Sequence, residues 1–325
     1  MITGKKFIFI FSLFLLLFTV YAEILIVNDD AEKSVIDYYT KRLNGFEFQV
    51  INKKEKNPDV DFLNQFKGVF WITGNSSKTL TNDDKELIKT YISKNSKKGL
   101  FIEGEKVMYD SAFIDYGFFY RNIFNSEYGG EKRTPVNFSV YWANPITWGM
   151  RDNFVVNTIK NIDIINYRGF REDEVLFKID DNNYPRNSIK SAGIGLNYYR
   201  NNVVLLSFSP AVRKIWEIDT SNFVNNLAEW LTYGARDIVV KLNDRAVAEN
   251  QNQSEKYYEM LAQMIINSFN NDIYEEFDYI KKCYDEQKIK EEIFKTVCDK
   301  LLEKYYSTES WQNTLSIKTR MELLK

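Results

Sequence analysis

Val69-Phe70-Trp71-Ile72-Thr73-Gly74-Asn75 and Gly99-Leu100-Phe101-Ile102-Glu103-Gly104 decide the fold of this chain. Each is an unbroken apolar run of strand length that stops at a glycine turn. Neither alternates polar with apolar residues, so each suits a strand covered on both faces, as in a parallel sheet. Between them, Leu80-Thr81-Asn82-Asp83-Asp84 opens a helix, with Thr81 as N-cap and acidic residues in the first turn, where the helix dipole favours them. Leu87, Ile88, Tyr91 and Ile92 form its apolar stripe.

On the N-terminal side the same alternation repeats. Ile24 to Val27 reads as a strand, Asn28-Asp29-Asp30 as a turn, and Val35, Ile36, Tyr39 and Leu43 as the buried face of a helix closed by Gly45. Phe46 to Ile51 is a second strand, and Phe62, Leu63 and Phe66 mark a short helix. On the C-terminal side, the aromatic stretch from Met108 to Phe124 is expected to be helical, and Val136 to Trp142 alternates like a half-exposed strand. Residues 130–190 read as a β-rich insertion. Gly193 to Tyr199 then leads to a hairpin turn at Asn201-Asn202, a final buried strand from Val203 to Phe208, and a closing helix bearing Phe223, Leu227, Trp230 and Leu231. The fold expected for residues 23–235 is α/β: a flavodoxin-like, mostly parallel sheet with helices on both faces.

Beyond Ala235 glycine and proline disappear, and Ser254 to Phe269, Ile273 to Tyr284 and Ile289 to Tyr305 carry apolar residues three and four apart. That spacing predicts an α-helical bundle over 236–325. Its two cysteines, Cys283 and Cys298, lie four residues before and eleven after a turn near Gln287. In an antiparallel hairpin that offset of seven residues is about 10 Å along the axis. A disulfide needs Cα atoms within about 7 Å, so the pairing is disfavoured and two buried thiols are expected.

The first residues carry Lys5 and Lys6, an apolar run from Phe7 to Tyr21, and Val20-Tyr21-Ala22 just before Glu23. A run this short, ending in small or modest residues, reads as a signal peptide over 1–22, with an uncleaved anchor as the alternative. The expected location is periplasmic or extracellular, with no membrane span after cleavage. A formal net charge of −2 gives no electrostatic footprint for nucleic acid, so a protein or glycan partner in the cell envelope is expected.

The chain contains no histidine. Ser-His-Asp triads, Cys-His pairs and histidine-based metal sites are therefore excluded, and any catalysis must come from carboxylates, Lys, Tyr or Ser.

Ile24 to Asp30, Tyr38-Tyr39, Val69 to Asn75, Leu80-Thr81, Leu100 to Gly104, Val203 to Pro210 and Asn226 to Leu231 together resemble, in kind and order, the class I glutamine amidotransferase-like domains found on secreted bacterial proteins, peptidases among them. The resemblance covers about 210 residues and rests on apolar and turn segments. It implies that fold. It also implies a cysteine nucleophile at the sharp turn after a central strand, partnered by histidine and glutamate. Here that turn reads Ile102-Glu103-Gly104-Glu105, neither cysteine lies near it in sequence, and there is no histidine. The resemblance therefore implies a non-catalytic relative.

Ligands of open α/β sheets bind beyond the carboxyl ends of the strands. The expected rim is Asn28, Asp29, Asp30, Thr73, Gly74, Asn75, Glu103, Gly104 and Ser209. Asp29, Asp30, Glu103 and Glu105 are the candidate catalytic carboxylates; Asp29, Asp30 and Glu103 are candidate ligands for Ca²⁺, which takes oxygen donors. No other cofactor is expected. The bland alternative is that Asp29 or Asp30 caps the first helix and the glutamates are solvated. Ser76 and Ser77 lack a G-x-S-x-G context and a base, and read as turn. Tyr116, Phe118, Phe119, Tyr120, Tyr141 and Trp142 could stack on a glycan but more simply supply core. Three functions are open: an exported, non-catalytic binding module, a carboxylate-based hydrolase acting on glycans, or an accessory subunit of an exported peptidase. The oligomeric state is open as well.

Overall fold

The computed structural model describes residues 22–74, 76, 80–93, 97–109, 117–141, 144–147, 150, 153–156, 162–169, 174–179, 189–199, 201–211, 222–232, 273–287 and 289–306. The signal-peptide reading, Asn75, Ser77, Tyr116, Trp142 and the expected helix over 254–269 lie outside them.

The elements run β1 (Ile24–Asn28), α1 (Lys33–Thr40), β2 (Phe48–Asn52), α2 (Val60–Leu63), β3 (Gly68–Gly74), α3 (Asn82–Tyr91) and β4 (Gly99–Gly104). After them come α4 (Phe118–Phe124), β5 (Ser126–Lys132), β6 (Val136–Val140), β7 (Asn153–Val156), β8 (Ile162–Tyr167) and β9 (Val175–Ile179). The chain then forms β10 (Ile189–Tyr198), β11 (Asn201–Leu206), a helix α5 over 222–232, α6 (Ile273–Asp285) and α7 (Glu291–Tyr306).

Among the described residues, eleven strands form one sheet. Its first five run β2-β1-β3-β4-β11 and are parallel throughout. With β11 as the fifth strand, that is the 2-1-3-4-5 order of doubly wound sheets, in which ligand sites fall where the order reverses. Past β11 every pairing is antiparallel: β10, β9, β6 and β7 extend the path, and β8 pairs with both β10 and β5. The sheet is therefore mixed rather than mostly parallel. Residues 130–190 are rich in strand, as expected, and their strands β6 to β9, with the end of β5, belong to this same sheet.

Two apolar layers follow from strand alternation. Ile24, Ile26, Phe70, Ile72, Phe101, Val204 and Leu206 face α1 and α5, through Val35, Ile36, Tyr39, Val224 and Leu227. Leu25, Val27, Val69, Trp71, Leu100, Ile102, Val203 and Leu205 face α2, α3 and α4, through Leu63, Ile88, Tyr91, Phe119 and Tyr120. Helices thus cover both faces of the parallel half. Phe119 and Tyr120, candidates for glycan stacking, are buried in the second layer, while Phe118 is exposed.

Local chemistry accounts for several boundaries. Thr81 caps α3, as expected, and the structure adds a full capping box with Asp84. Neither Asp29 nor Asp30 caps α1. Glu32 holds the N-cap position without a side-chain capping hydrogen bond, and the Asn28 carboxamide oxygen accepts from the Ala31 amide at 2.8 Å. The expected hairpin turn at Asn201-Asn202 lies in β11, and the chain turns at Tyr199, whose φ is 47°. Asn201 holds the Lys98 amide at 2.9 Å and donates to the Ile92 carbonyl at 3.0 Å, so it locks β11 to the start of β4.

α6 and α7 turn at Gln287, which takes a left-handed φ of 57°. Tyr284 stacks on Phe294 with ring centroids 4.7 Å apart. Cys283 and Cys298 are both buried and not joined in a disulfide, and burial pushes the Cys298 thiol up to about 12.

Candidate site at the carboxyl ends of the parallel strands

The ends of β1, β3, β4 and β11 lie side by side because those strands are parallel neighbours in register. Backbone hydrogen bonds tie the turns together. The Asp29 amide donates to the Ile72 carbonyl at 2.9 Å, the Glu105 amide to the Gly74 carbonyl at 2.9 Å, and the Asp163 amide of β8 to the Glu105 carbonyl at 3.3 Å. Gly104 is required at its position: a Cβ there would come within 1.8 Å of the Thr73 hydroxyl, which donates to the Glu103 carbonyl at 3.0 Å. Gly74, at φ 60°, also packs closely, since a Cβ would meet that of Ala31 at 3.0 Å.

The four candidate carboxylates do not form one open group. Asp29 Oδ2 accepts from Lys53 Nζ at 3.1 Å and from the Trp71 indole N–H at 2.9 Å. Lys53 also donates to Asp84 Oδ2 at 2.6 Å, so one ammonium joins the β1 turn, the end of β2 and the first turn of α3. Asp30, at φ 73°, is ion-paired with Lys54. Both aspartates are therefore engaged with lysines on the outer side of the rim.

Glu103 and Glu105, expected to be solvated or to line a pocket, are buried instead, at 0% and 1% exposure. Glu103 Oε2 accepts from the Tyr39 phenol of α1 at 2.8 Å. Its Oε1 makes no hydrogen bond among the described residues. Burial raises the Glu103 pKa to about 8; the nearby hydroxyls of Ser209 and Tyr39 pull it down, and the charge of Glu105 pushes it further up. The carboxyl is thus mostly protonated below neutral pH. Tyr39 is displaced upward in turn, first by burial and then by Glu103. Ser209 is fully buried beside this pair, and its hydroxyl accepts from the Ala211 amide at 3.3 Å. Ser76 is a turn residue whose amide donates to the Thr73 carbonyl at 3.1 Å.

Sequence reasoning missed Asp163, which is fully buried on β8. Its Oδ2 accepts from the Met108 amide at 2.8 Å, and its Oδ1 makes no hydrogen bond among the described residues. Burial raises its pKa to about 7, against the Met108 hydrogen bond and the charge of Lys106. Its signal in the sequence is a lone acid inside the apolar strand Ile162-Asp163-Ile164-Ile165. Lys53, Tyr39 and Asp84 were also missed as members of the rim.

Among the described residues no group of three or more Cys, Asp or Glu side chains is arranged to hold a metal ion. Of the three candidate Ca²⁺ ligands, Asp29 and Asp30 are paired with lysines and Glu103 accepts from Tyr39. No helix among the described residues is long and apolar enough to cross a membrane.

No family model and no curated protein matches the chain. Among solved structures it is similar to a GMP synthase component from Thermoplasma acidophilum, at 13% identity and TM-score 0.40, over 67% of this chain and 97% of that one. It is also similar to a β-galactosidase from Bacillus circulans, at 11% identity and TM-score 0.42, over 64% of this chain and 31% of that one. A β-galactosidase from the haloarchaeon Halorubrum lacusprofundi matches at 10% identity and TM-score 0.39, over 65% and 30%.

Proposed function

We propose that the chain is an exported, non-catalytic module with an amidotransferase-like fold that binds a protein or glycan partner in the cell envelope. One observation carries this reading: the end of β4 and the turn after it, where the resemblance places a nucleophile, hold Glu103 and Glu105 with both side chains buried. A catalytic group must reach substrate, and a carboxylate pair in a glycosidase must stand apart across an open cleft, about 5–10 Å wide. Glu103 faces Tyr39 from inside the protein, and Asp29 and Asp30 are held by lysines. The lack of histidine removes the base that amidotransferase chemistry uses.

The test is to incubate the purified chain with glutamine and with a panel of chromogenic glycosides. Ammonia and chromophore release should not exceed a protein-free blank. Turnover that disappears in Glu103→Gln would overturn the reading and favour the carboxylate-based hydrolase. Binding is then tested on a glycan array, where retention on defined glycans separates a glycan partner from a protein partner. Amino-terminal sequencing of the chain recovered from the envelope fraction should begin at Glu23.

A further inference from the structure

We propose that Glu103 is a pH-sensitive catch that fastens α1 to the ends of β3 and β4: neutral, it seals that contact, and ionised, it loosens it. The geometry is specific. A side-chain hydrogen bond, from the Tyr39 phenol to Glu103 Oε2 at 2.8 Å, crosses from α1 to the end of β4. The Tyr39 ring is clamped edge-on between Phe70 and Phe101, with centroids 6.0 and 5.8 Å away, so neither partner can turn toward water without opening the layer. Glu103 Oε1 is buried and makes no hydrogen bond among the described residues.

The groups acting on the carboxyl come from three directions. Tyr39 faces it from α1, with Tyr38 beside it; Glu105 belongs to its own turn; Ser209 follows β11. The two hydroxyls favour the ionised form and Glu105 opposes it, while burial outweighs them all. Ionisation therefore places a charge in an apolar layer, with only hydroxyl dipoles to stabilise it. Opening α1 lets water reach that charge and relieves the cost.

The sign follows from linkage. The folded carboxyl binds its proton more tightly than the open one, with a pKa of about 8 against the ordinary 4.5. The closed form is then favoured most below the ordinary value and loses that advantage as pH rises toward the folded value. If opening restores ordinary hydration to Glu103, the closed-to-open ratio falls on the order of 100-fold between pH 6 and pH 9.

Hydrogen exchange of the full chain, read as protection factors that already remove the intrinsic pH dependence of exchange, tests this. Protection across residues 33–40 should fall on the order of 100-fold from pH 6 to pH 9 in the wild type and stay level in Glu103→Gln. Tyr39→Phe removes a donor that favours ionisation, so its transition should move to higher pH; this second variant keeps the test decisive if Glu103→Gln does not fold. Asp163→Asn controls for the buried carboxyl of β8, whose pKa burial also raises, and should leave the α1 transition in place. A wild-type profile that is flat over this range would overturn the proposal. So would a fall that persists unchanged in Glu103→Gln, or that moves only with Asp163→Asn.

Discussion

Replacing Lys53 by Met should destabilise the protein by about 2–3 kcal/mol, and the reasoning lies in the burial of its partners. Lys53 Nζ sits 3.1 Å from Asp29 Oδ2 and 2.6 Å from Asp84 Oδ2, with side-chain exposures of 17% for the lysine, 16% for Asp29 and 4% for Asp84. A fully exposed pair contributes about 0–1 kcal/mol, whereas leaving a buried charge without its partner costs about 3–5 kcal/mol. Asp84 keeps two donors, the Thr81 amide at 2.9 Å and the Thr81 hydroxyl at 2.6 Å, which moderates the loss. Met keeps an unbranched apolar stem but removes the ammonium, and with it both ion pairs and the cation–π contact to the Trp71 ring, whose centroid lies 5.5 Å from Nζ. The assay is urea unfolding of the wild type, Lys53→Met, Asp84→Asn and the double variant. A coupling of at least about 1 kcal/mol between the two sites is expected. Additive losses, or a Lys53→Met loss below about 0.5 kcal/mol, would refute the claim that this lysine holds the β1, β2 and α3 ends together.

Three further outcomes follow from close packing, capping and burial. Gly99→Ala should cost about 1–3 kcal/mol in the same unfolding assay, because its Cβ would lie 2.4 Å from the Leu231 carbonyl oxygen, a backbone atom that cannot swing aside. An unchanged midpoint would mean that α5 does not close on the start of β4. Thr81→Ala should cost about 1 kcal/mol through loss of the α3 cap, with Thr81→Ser recovering most of it; equal losses in the two variants would exclude the cap as the cause. The Cys298 thiol, pushed up to about 12 by burial, should resist alkylation at pH 8 in the folded protein and react on unfolding, as mass spectrometry of labelled peptides would show. Labelling of the native protein at the rate of a free thiol would contradict its burial.

The parallel half of the sheet was legible because its information is local. Val69 to Ile72 and Leu100 to Ile102 are apolar on both faces, and Thr81 to Asp84 spells out a cap, so each segment announces its own environment. The antiparallel half was not legible in the same way. β10 divides its length among three partners, β11, β9 and β8, with register shifts against β9, and such a division leaves no mark in the apolar pattern of the strand itself. Asn201-Asn202 misled because asparagine pairs usually mark turns, yet here their carboxamides serve β4, α3 and α5. The turn falls instead at Tyr199, a bulky residue in a left-handed conformation that such residues rarely adopt.

The rim was half legible for a related reason. Topology alone placed Asp29, Asp30, Glu103 and Glu105 at one end of the sheet, but it could not say that lysines hold the first two and that the last two are buried. Tyr39 reads as one apolar residue in the stripe of α1, and only the fold shows its phenol reaching Glu103, 64 residues away. Asp163 is supplied by β8, whose place beside the β4 turn depends on the antiparallel half.

The most direct measurement is the ¹³C resonance of the Glu103 carboxyl, in chain labelled at glutamate and assigned by its loss in Glu103→Gln, followed from pH 4 to pH 10. A closed turn with a buried, neutral glutamate gives a single titration near pH 8 and a protonated shift at pH 6. A carboxyl that titrates near its ordinary value of 4.5 and stays ionised above it would contradict both the closed turn and the catch on α1.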